Sequence, residues 1–177
     1  SLARIYGRYE TGSVEGLGGF RGYIAFMHNE VDKWKGDGQQ KQTHWNTGFV
    51  MPVGDIGQFS GYYSKSSRRE ADYQDLSKEM INRLGYDWDN FAPNWTLANL
   101  VADIANNRGD TGAPVTNAAA GTTYPSPIAS ADDAYFDASG LRDDDLMRFG
   151  YDGKVAQNGH FNASIYTHQQ KGQGLWF

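Results

Sequence analysis

The stretch from Thr43 to Arg69, THWNTGFVMPVGDIGQFSGYYSKSSRR, changes chemistry residue by residue on either side of a breaker-rich turn. Trp45, Thr47, Phe49 and Met51 alternate with His44, Asn46 and Gly48. Beyond the turn, Phe59, Gly61 and Tyr63 alternate with Ser60, Tyr62 and Ser64. Successive side chains of a strand point to opposite faces, so this pattern predicts two strands, each apolar and aromatic on one side and small and polar on the other. Pro52–Gly57, with a proline and two glycines, supplies the turn. Such a sheet stands between an apolar medium and water. The medium is either a protein core or a lipid bilayer.

Composition narrows the choice. Only 39% of the 177 residues are hydrophobic, yet 14% are aromatic and 22 are glycine, which suits aromatic-faced β-structure better than a Leu-rich helical bundle. The net charge of -5 without a long basic run argues against nucleic acid as a partner. With no cysteine there is no disulfide framework and no Cys-based zinc site. No run approaches the roughly 18 apolar residues of a membrane helix, which says nothing about strands that cross a membrane. No leader pattern or initiating Met precedes the first strand, so the chain reads as part of something longer.

Along the chain the alternation comes and goes. Ser1–Thr11 alternates, with Ala3, Ile5, Gly7 and Tyr9 opposite Arg4, Tyr6, Arg8 and Glu10. Gly-rich Thr11–Gly19 is a turn. Phe20–Asn29 places Phe20, Gly22, Ile24 and Phe26 against Arg21, Tyr23, Ala25 and Met27, though Tyr23 and Met27 fit either face. Charged Glu30–Gln42 is a medium loop leading to the hairpin. From about Lys65 to Asp145 the alternation is lost. Two helical patterns lie there: Asp72–Leu84, closed by Gly85, and Trp95–Arg108, with Asn94 as N-cap and Gly109 at its end. Gly109–Ser130 is irregular and Ala131–Asp145 acidic. A connection of about eighty residues far exceeds an ordinary one and points to function. Alternation resumes over Met147–Val155, turns at Ala156–Gly159, and is cleanest in His160–His168, where Phe161, Ala163, Ile165 and Thr167 oppose the polar set.

Six strands result, with connections that run short, medium, short, very long and short. Long and short connections therefore fall at opposite ends of the sheet, as in a transmembrane barrel with tight periplasmic turns and long extracellular loops. Strands of about nine to eleven residues suit a tilted bilayer crossing. The apolar face is built from Phe, Tyr, Trp, Ile, Gly and Ala, as an interfacial aromatic girdle would be. The expected fold is all-β, an antiparallel transmembrane β-barrel segment of about six strands with a long, partly helical extracellular loop at about 65–145. Six strands are too few to close, since small outer-membrane barrels have about eight. A soluble β-sandwich or jelly roll remains the alternative.

The wording of VGDIGQFSGYYSKSSRREADYQDLS, of RLGYDWDNFAP and of the final IYTHQQKGQGLWF resembles the β-barrel of TonB-dependent outer-membrane receptors. The likeness covers nearly the whole chain and rests on strand rhythm and loop wording. The family's plug domain and N-terminal TonB box lie outside this sequence. The resemblance implies a barrel of about twenty-two strands, an outer-membrane location, contact with lipid and lipopolysaccharide, and TonB-energised uptake of a scarce small molecule such as a siderophore, vitamin or glycan. It implies a receptor, not an enzyme, and no cofactor. A GQG-plus-aromatic stretch in that family sits inside the barrel, whereas a terminal aromatic such as Phe177 also suits a true barrel end. A secreted β-sandwich that binds carbohydrate, or a passive porin-type barrel, are the alternative functions.

Candidate ligand contacts are Trp34, Tyr86, Trp88 and Trp95, whose rings in or beside the long loops can stack on a ligand, and Arg68 and Arg69, which can attract an anion. Packing among the loops is the competing reading for the rings. His44, His160 and His168 share the polar face without metal-ligand spacing. Asp132, Asp133, Asp137 and Asp143–Asp145 are acidic without a calcium-loop pattern and read as a solvated charge run. No nucleophile elbow, zinc-protease motif or phosphate cradle occurs, so no catalytic or metal residue is assigned.

Overall fold

A computed structural model describes residues 2–155 and 159–176. The turn expected at Ala156–Gly159 involves residues 156–158, outside the described residues. Six strands follow the chain: β1 (Leu2–Glu10), β2 (Arg21–Asp32), β3 (Gln39–Val53), β4 (Gly57–Ala71), β5 (Ala138–Val155) and β6 (Gly159–Trp176). Helices α1 (Lys78–Leu84) and α2 (Trp95–Arg108) lie between β4 and β5. The strands form one antiparallel sheet in chain order, β1 to β6, and this sheet does not close on itself. The chain divides into two compact units. One holds residues 1–31, 41–69 and 141–173; the other holds 32–40, 70–140 and 174–177.

In the sheet unit the pairing settles what alternation left open. β1 runs against β2 with Arg8 opposite Ala25, Tyr6 opposite Met27 and Glu10 opposite Tyr23. Paired residues share a face, so Tyr23 and Met27 join Arg4 and Arg8 on the polar side. The Arg8 guanidinium lies 3.9 Å from the Tyr23 ring centroid. The same side carries His44, bonded to Ser64 at 2.8 Å, and His168, bonded to Asp144 at 3.2 Å. On the opposite side rings touch across strands: Phe26 with Trp45 at 4.3 Å, Phe49 with Phe149 at 6.4 Å, and Phe59 with Tyr151 at 5.0 Å. Two glycines make room for rings on opposite faces. A Cβ on Gly61 would enter the Phe49 ring, and one on Gly48 would stand 2.7 Å from the Tyr23 ring.

The strands run further than the alternation suggested. β4 continues to Ala71 and β5 begins at Ala138, so the long connection spans 72–137 and not 65–145. Arg68 and Arg69 therefore sit within a strand. The charged residues that hid the pattern are cross-strand partners: Lys41 with Glu30 at 3.3 Å, Lys65 with Asp145 at 3.8 Å, and Arg69 with Asp143 at 3.1 Å. Opposite charges side by side stabilise a ladder without an apolar face.

In the loop unit, α2 has the bounds its pattern predicts. The Asn94 side chain accepts from Leu97 N at 3.0 Å, and Gly109 closes the helix in the left-handed region. Its Val101, Ile104 and Ala105 are buried, while Leu100 faces out. Val101 joins Phe91, Ile128 and Ala134 in a small core, with Trp88, Leu97 and Tyr124 packed around it. The irregular stretch after α2 is tied to it by Asn107, which donates to the carbonyls of Asn117 and Gly121, and by Asp103, which accepts from Thr116 and Asn117.

α1 is shorter than expected. It starts after Ser77, whose hydroxyl accepts from Met80 N at 3.1 Å, and residues 72–77 are not helical. The reason is competition for the backbone. The Asp72 carbonyl accepts from Lys33 Nζ at 2.8 Å and Asn90 Nδ2 at 3.3 Å, and Gln74 N donates to Asp89 Oδ1 at 2.7 Å. Lys33 and Asp89 meet at 2.5 Å with side chains only 1% and 2% exposed. Gly36 has φ +66 beneath this pair, and a Cβ there would collide with the Asp89 carboxylate. Removing one partner of a buried ion pair strands the other charge and typically costs about 3–5 kcal/mol. Lys33→Met is accordingly expected to release 72–77 and 33–38 together. Amide hydrogen exchange at Gln74 and Trp34, whose N–H groups donate to Asp89 and Tyr73, should rise by orders of magnitude, with no matching change in β3 amides such as Asn46.

Candidate ligand-binding platform in the loop unit

The connection between β2 and β3 is closed by Lys33 N donating to Gly38 O at 3.1 Å. Because Lys33 points inward to Asp89, its neighbour Trp34 is turned outward and is 59% exposed. Trp34 N donates to the Tyr73 hydroxyl at 3.1 Å, which fixes Tyr73 beneath the loop. The Trp34 ring lies 5.9 Å from the Tyr73 ring at 33° and 5.5 Å from the Tyr86 ring at 34°. Tyr86 follows Gly85, the residue that ends α1, and is 64% exposed. Three gently canted rings thus form one shallow aromatic arc with Trp34 at its centre. The Lys35 ammonium lies 5.3 Å from the Trp34 centroid and 5.9 Å from the Tyr73 centroid. Such an arc can stack against a flat or ring-shaped ligand, and Lys35 can donate to it.

The other expected contacts separate. Trp95 stands apart from the arc, edge-on to Phe136 at 4.6 Å and 84°. It walls an apolar cavity of about 220 Å³ over Ala98, Val101 and Ala105. Trp88 is engaged within the unit: its Nε1 donates to the Asp133 carbonyl at 2.9 Å and its ring packs edge-on against Phe91. Arg69 is held by Asp143, and Arg68 is engaged as well, so neither stands as a spare cation. Tyr73 and Lys35 were not singled out from the sequence. Tyr73 sits just past the end of β4 among polar residues, and only the Trp34 backbone contact identifies it.

The acidic residues are engaged by protein groups. Asp143 meets Arg69, Asp145 accepts from Tyr63 at 2.7 Å, and Asp144 meets His168. Among the described residues no trio of histidines and carboxylates is placed to hold a metal. Asp133 is the hub of the loop unit. It accepts a bidentate pair from Arg83 at 2.7 and 2.9 Å and the amides of Ala129 and Ser130. Arg83 also bonds Glu79 and the Pro127 carbonyl. No family model, curated protein or solved structure matches this chain.

The Arg83 hydrogen bonds, against the opposing cost of burial, hold the Asp133 carboxyl down at about 2. A folded-state value below the unfolded one gives stability that is complete above the unfolded value near 4 and vanishes as pH falls through about 2. For a side chain only 4% exposed, the difference corresponds to about 2 kcal/mol. Trp88, bonded to the Asp133 carbonyl, is the local reporter. Its fluorescence is expected to be steady above pH 4 and to change between pH 4 and 2, and Asp133→Asn should remove that step while loosening the unit at neutral pH.

Proposed function

We propose that this chain is an arc of the β-barrel of a TonB-dependent outer-membrane receptor, one that takes up a scarce small molecule and performs no catalysis. The observation that carries this reading is the uncovered apolar face of the sheet. Ile5, Tyr9, Ile24, Trp45, Met147, Phe149, Phe161 and Ile165 are all large and 47% exposed or more. A contiguous face of that kind in water would be an aggregation surface, whereas in a bilayer it meets hydrocarbon. The band has limits. From Met51 to Lys41 along β3 is roughly 33 Å at about 3.3 Å per residue, or about 25 Å of height at a barrel strand's tilt. At that upper limit the ion-paired Lys41, Lys65 and Arg69 begin, as expected where strands leave lipid for the zone of lipopolysaccharide head groups.

A soluble β-sandwich needs a second sheet to cover this face. All six described strands lie in one sheet, so the membrane reading is the better supported. The unpaired edges of β1 and β6 would be met by further strands of a larger barrel. Segments beyond this chain would supply the plug and the TonB box, and a coding sequence lacking both would favour a passive pore instead.

Nitroxide labels on the full chain in liposomes test the face assignment. Labels at Phe161→Cys and Ile165→Cys are expected to be oxygen-accessible and shielded from a water-soluble nickel chelate. Labels at Asn162→Cys and Ser164→Cys are expected to show the reverse. Equal chelate access at all four positions overturns the reading.

A further inference from the structure

We infer that the aromatic arc of Trp34, Tyr73 and Tyr86 binds a neutral sugar ring, which makes the receptor's cargo a neutral glycan. This deepens the uptake reading and rests on it for the ligand's fate, though not for its binding. Three observations carry it.

The first is that the rings are held exposed by a rigid foundation. Trp34 and Tyr86 leave more than half their surface in water although a hydrophobic core lies in the same unit. Trp34 is held outward because Lys33 is fixed on Asp89, its own amide is bonded to Tyr73, and Gly36 beneath admits no side chain. Preorganised rings lose little freedom when a ligand arrives, which is where rigid aromatic contacts gain affinity.

The second is shape. Inter-ring tilts of 33° and 34° at centroid separations of 5.9 and 5.5 Å leave no parallel-faced slot between the rings. A planar aromatic ligand is best held sandwiched between rings. A pyranose has an apolar C–H face that lies on an open ring surface, with hydroxyls projecting from its edge.

The third is the polar surround. Asp32, Asp37 and Gln39 line an open recess in the same loop as Trp34, and Lys35 supplies a donor over the rings. Carboxylates and an amide accept and donate in the mixture that sugar hydroxyls require. Lys33 is neutralised by Asp89, which leaves the Lys35 ammonium in a loop that also carries the Asp37 carboxylate. That balance disfavours an anionic ligand such as a catecholate or a uronate.

Isothermal titration of the full chain in lauryldimethylamine oxide, a detergent without a sugar head group, tests this. The probes are cellohexaose, maltohexaose and xylohexaose, with hexagalacturonate and 2,3-dihydroxybenzoate as anionic controls. At least one neutral hexasaccharide should bind saturably and more tightly than either control. Trp34→Ala and Tyr86→Ala should each weaken it about tenfold or more, the equivalent of about 1.4 kcal/mol. Trp34→Phe should retain binding within about threefold, and Trp95→Ala should leave it unchanged. Both alanine positions are exposed, so Tyr86→Ala stands as the test should Trp34→Ala fail to fold. The inference is overturned if no neutral hexasaccharide binds, if an anionic control binds more tightly, or if both alanine variants bind as the parent does. None of these outcomes bears on whether Phe161 and Ile165 face lipid, so the two readings fail separately.

Discussion

The pleat of the sheet governs this molecule. Neighbouring residues on paired strands must share a face, so one register decides the company of every side chain. With Glu10 opposite Tyr23, the Arg8 guanidinium comes over the Tyr23 ring. On the other face Phe49 of β3 and Phe59 of β4 both meet Phe149 of β5, one tilted and one stacked. A slip of one residue would exchange these populations and bring arginines among the rings. Gly48 and Gly61 are the local consequence. Each is the vacancy into which a neighbouring ring lies, on opposite faces of one sheet.

The loop unit depends on a different kind of contact. Its apolar core is small, and its order comes largely from charged groups taken out of water. Lys33 and Asp89 bind the short connection between β2 and β3 to the residues after β4. Arg83 and Asp133 bind α1 to the segment before β5. Buried pairs contribute little net stability over apolar contacts but penalise every arrangement that separates them. Here they hold residues far apart in sequence in a single geometry, and the Trp34 ring is presented as a result. Its exposure is the other side of Lys33's burial, since adjacent residues of the loop take opposite directions.

Much of this was legible in the sequence. Period-two alternation located six strands, and the Asn94 and Gly109 signals bounded α2 to the residue, because caps act on immediate neighbours. Legibility failed where the partner was distant. Lys65–Ala71 and Ala138–Asp145 carry charges on both faces and read as loop, yet Lys65, Arg69, Asp143 and Asp145 pair across the ladder. The N-terminal half of the expected first helix was lost because Lys33, some forty residues earlier, captures the Asp72 carbonyl. Of the expected ligand contacts, Trp34 and Tyr86 come together. Trp95 stands apart, Trp88 turns into the core, and Arg68 and Arg69 belong to the strand.

By itself the sequence determined the two-faced chemistry of the strands and the helix that its own caps delimit. Each of these depends on residues within a few positions of one another, so a linear reading suffices. Tertiary structure alone decided which aromatic rings became a surface and which became a core. Trp34 and Trp88 are indistinguishable as letters in polar loops. What separates them is whether a backbone carbonyl at Asp133 or open water lies beyond the ring, and that is settled by contacts between residues some fifty positions apart.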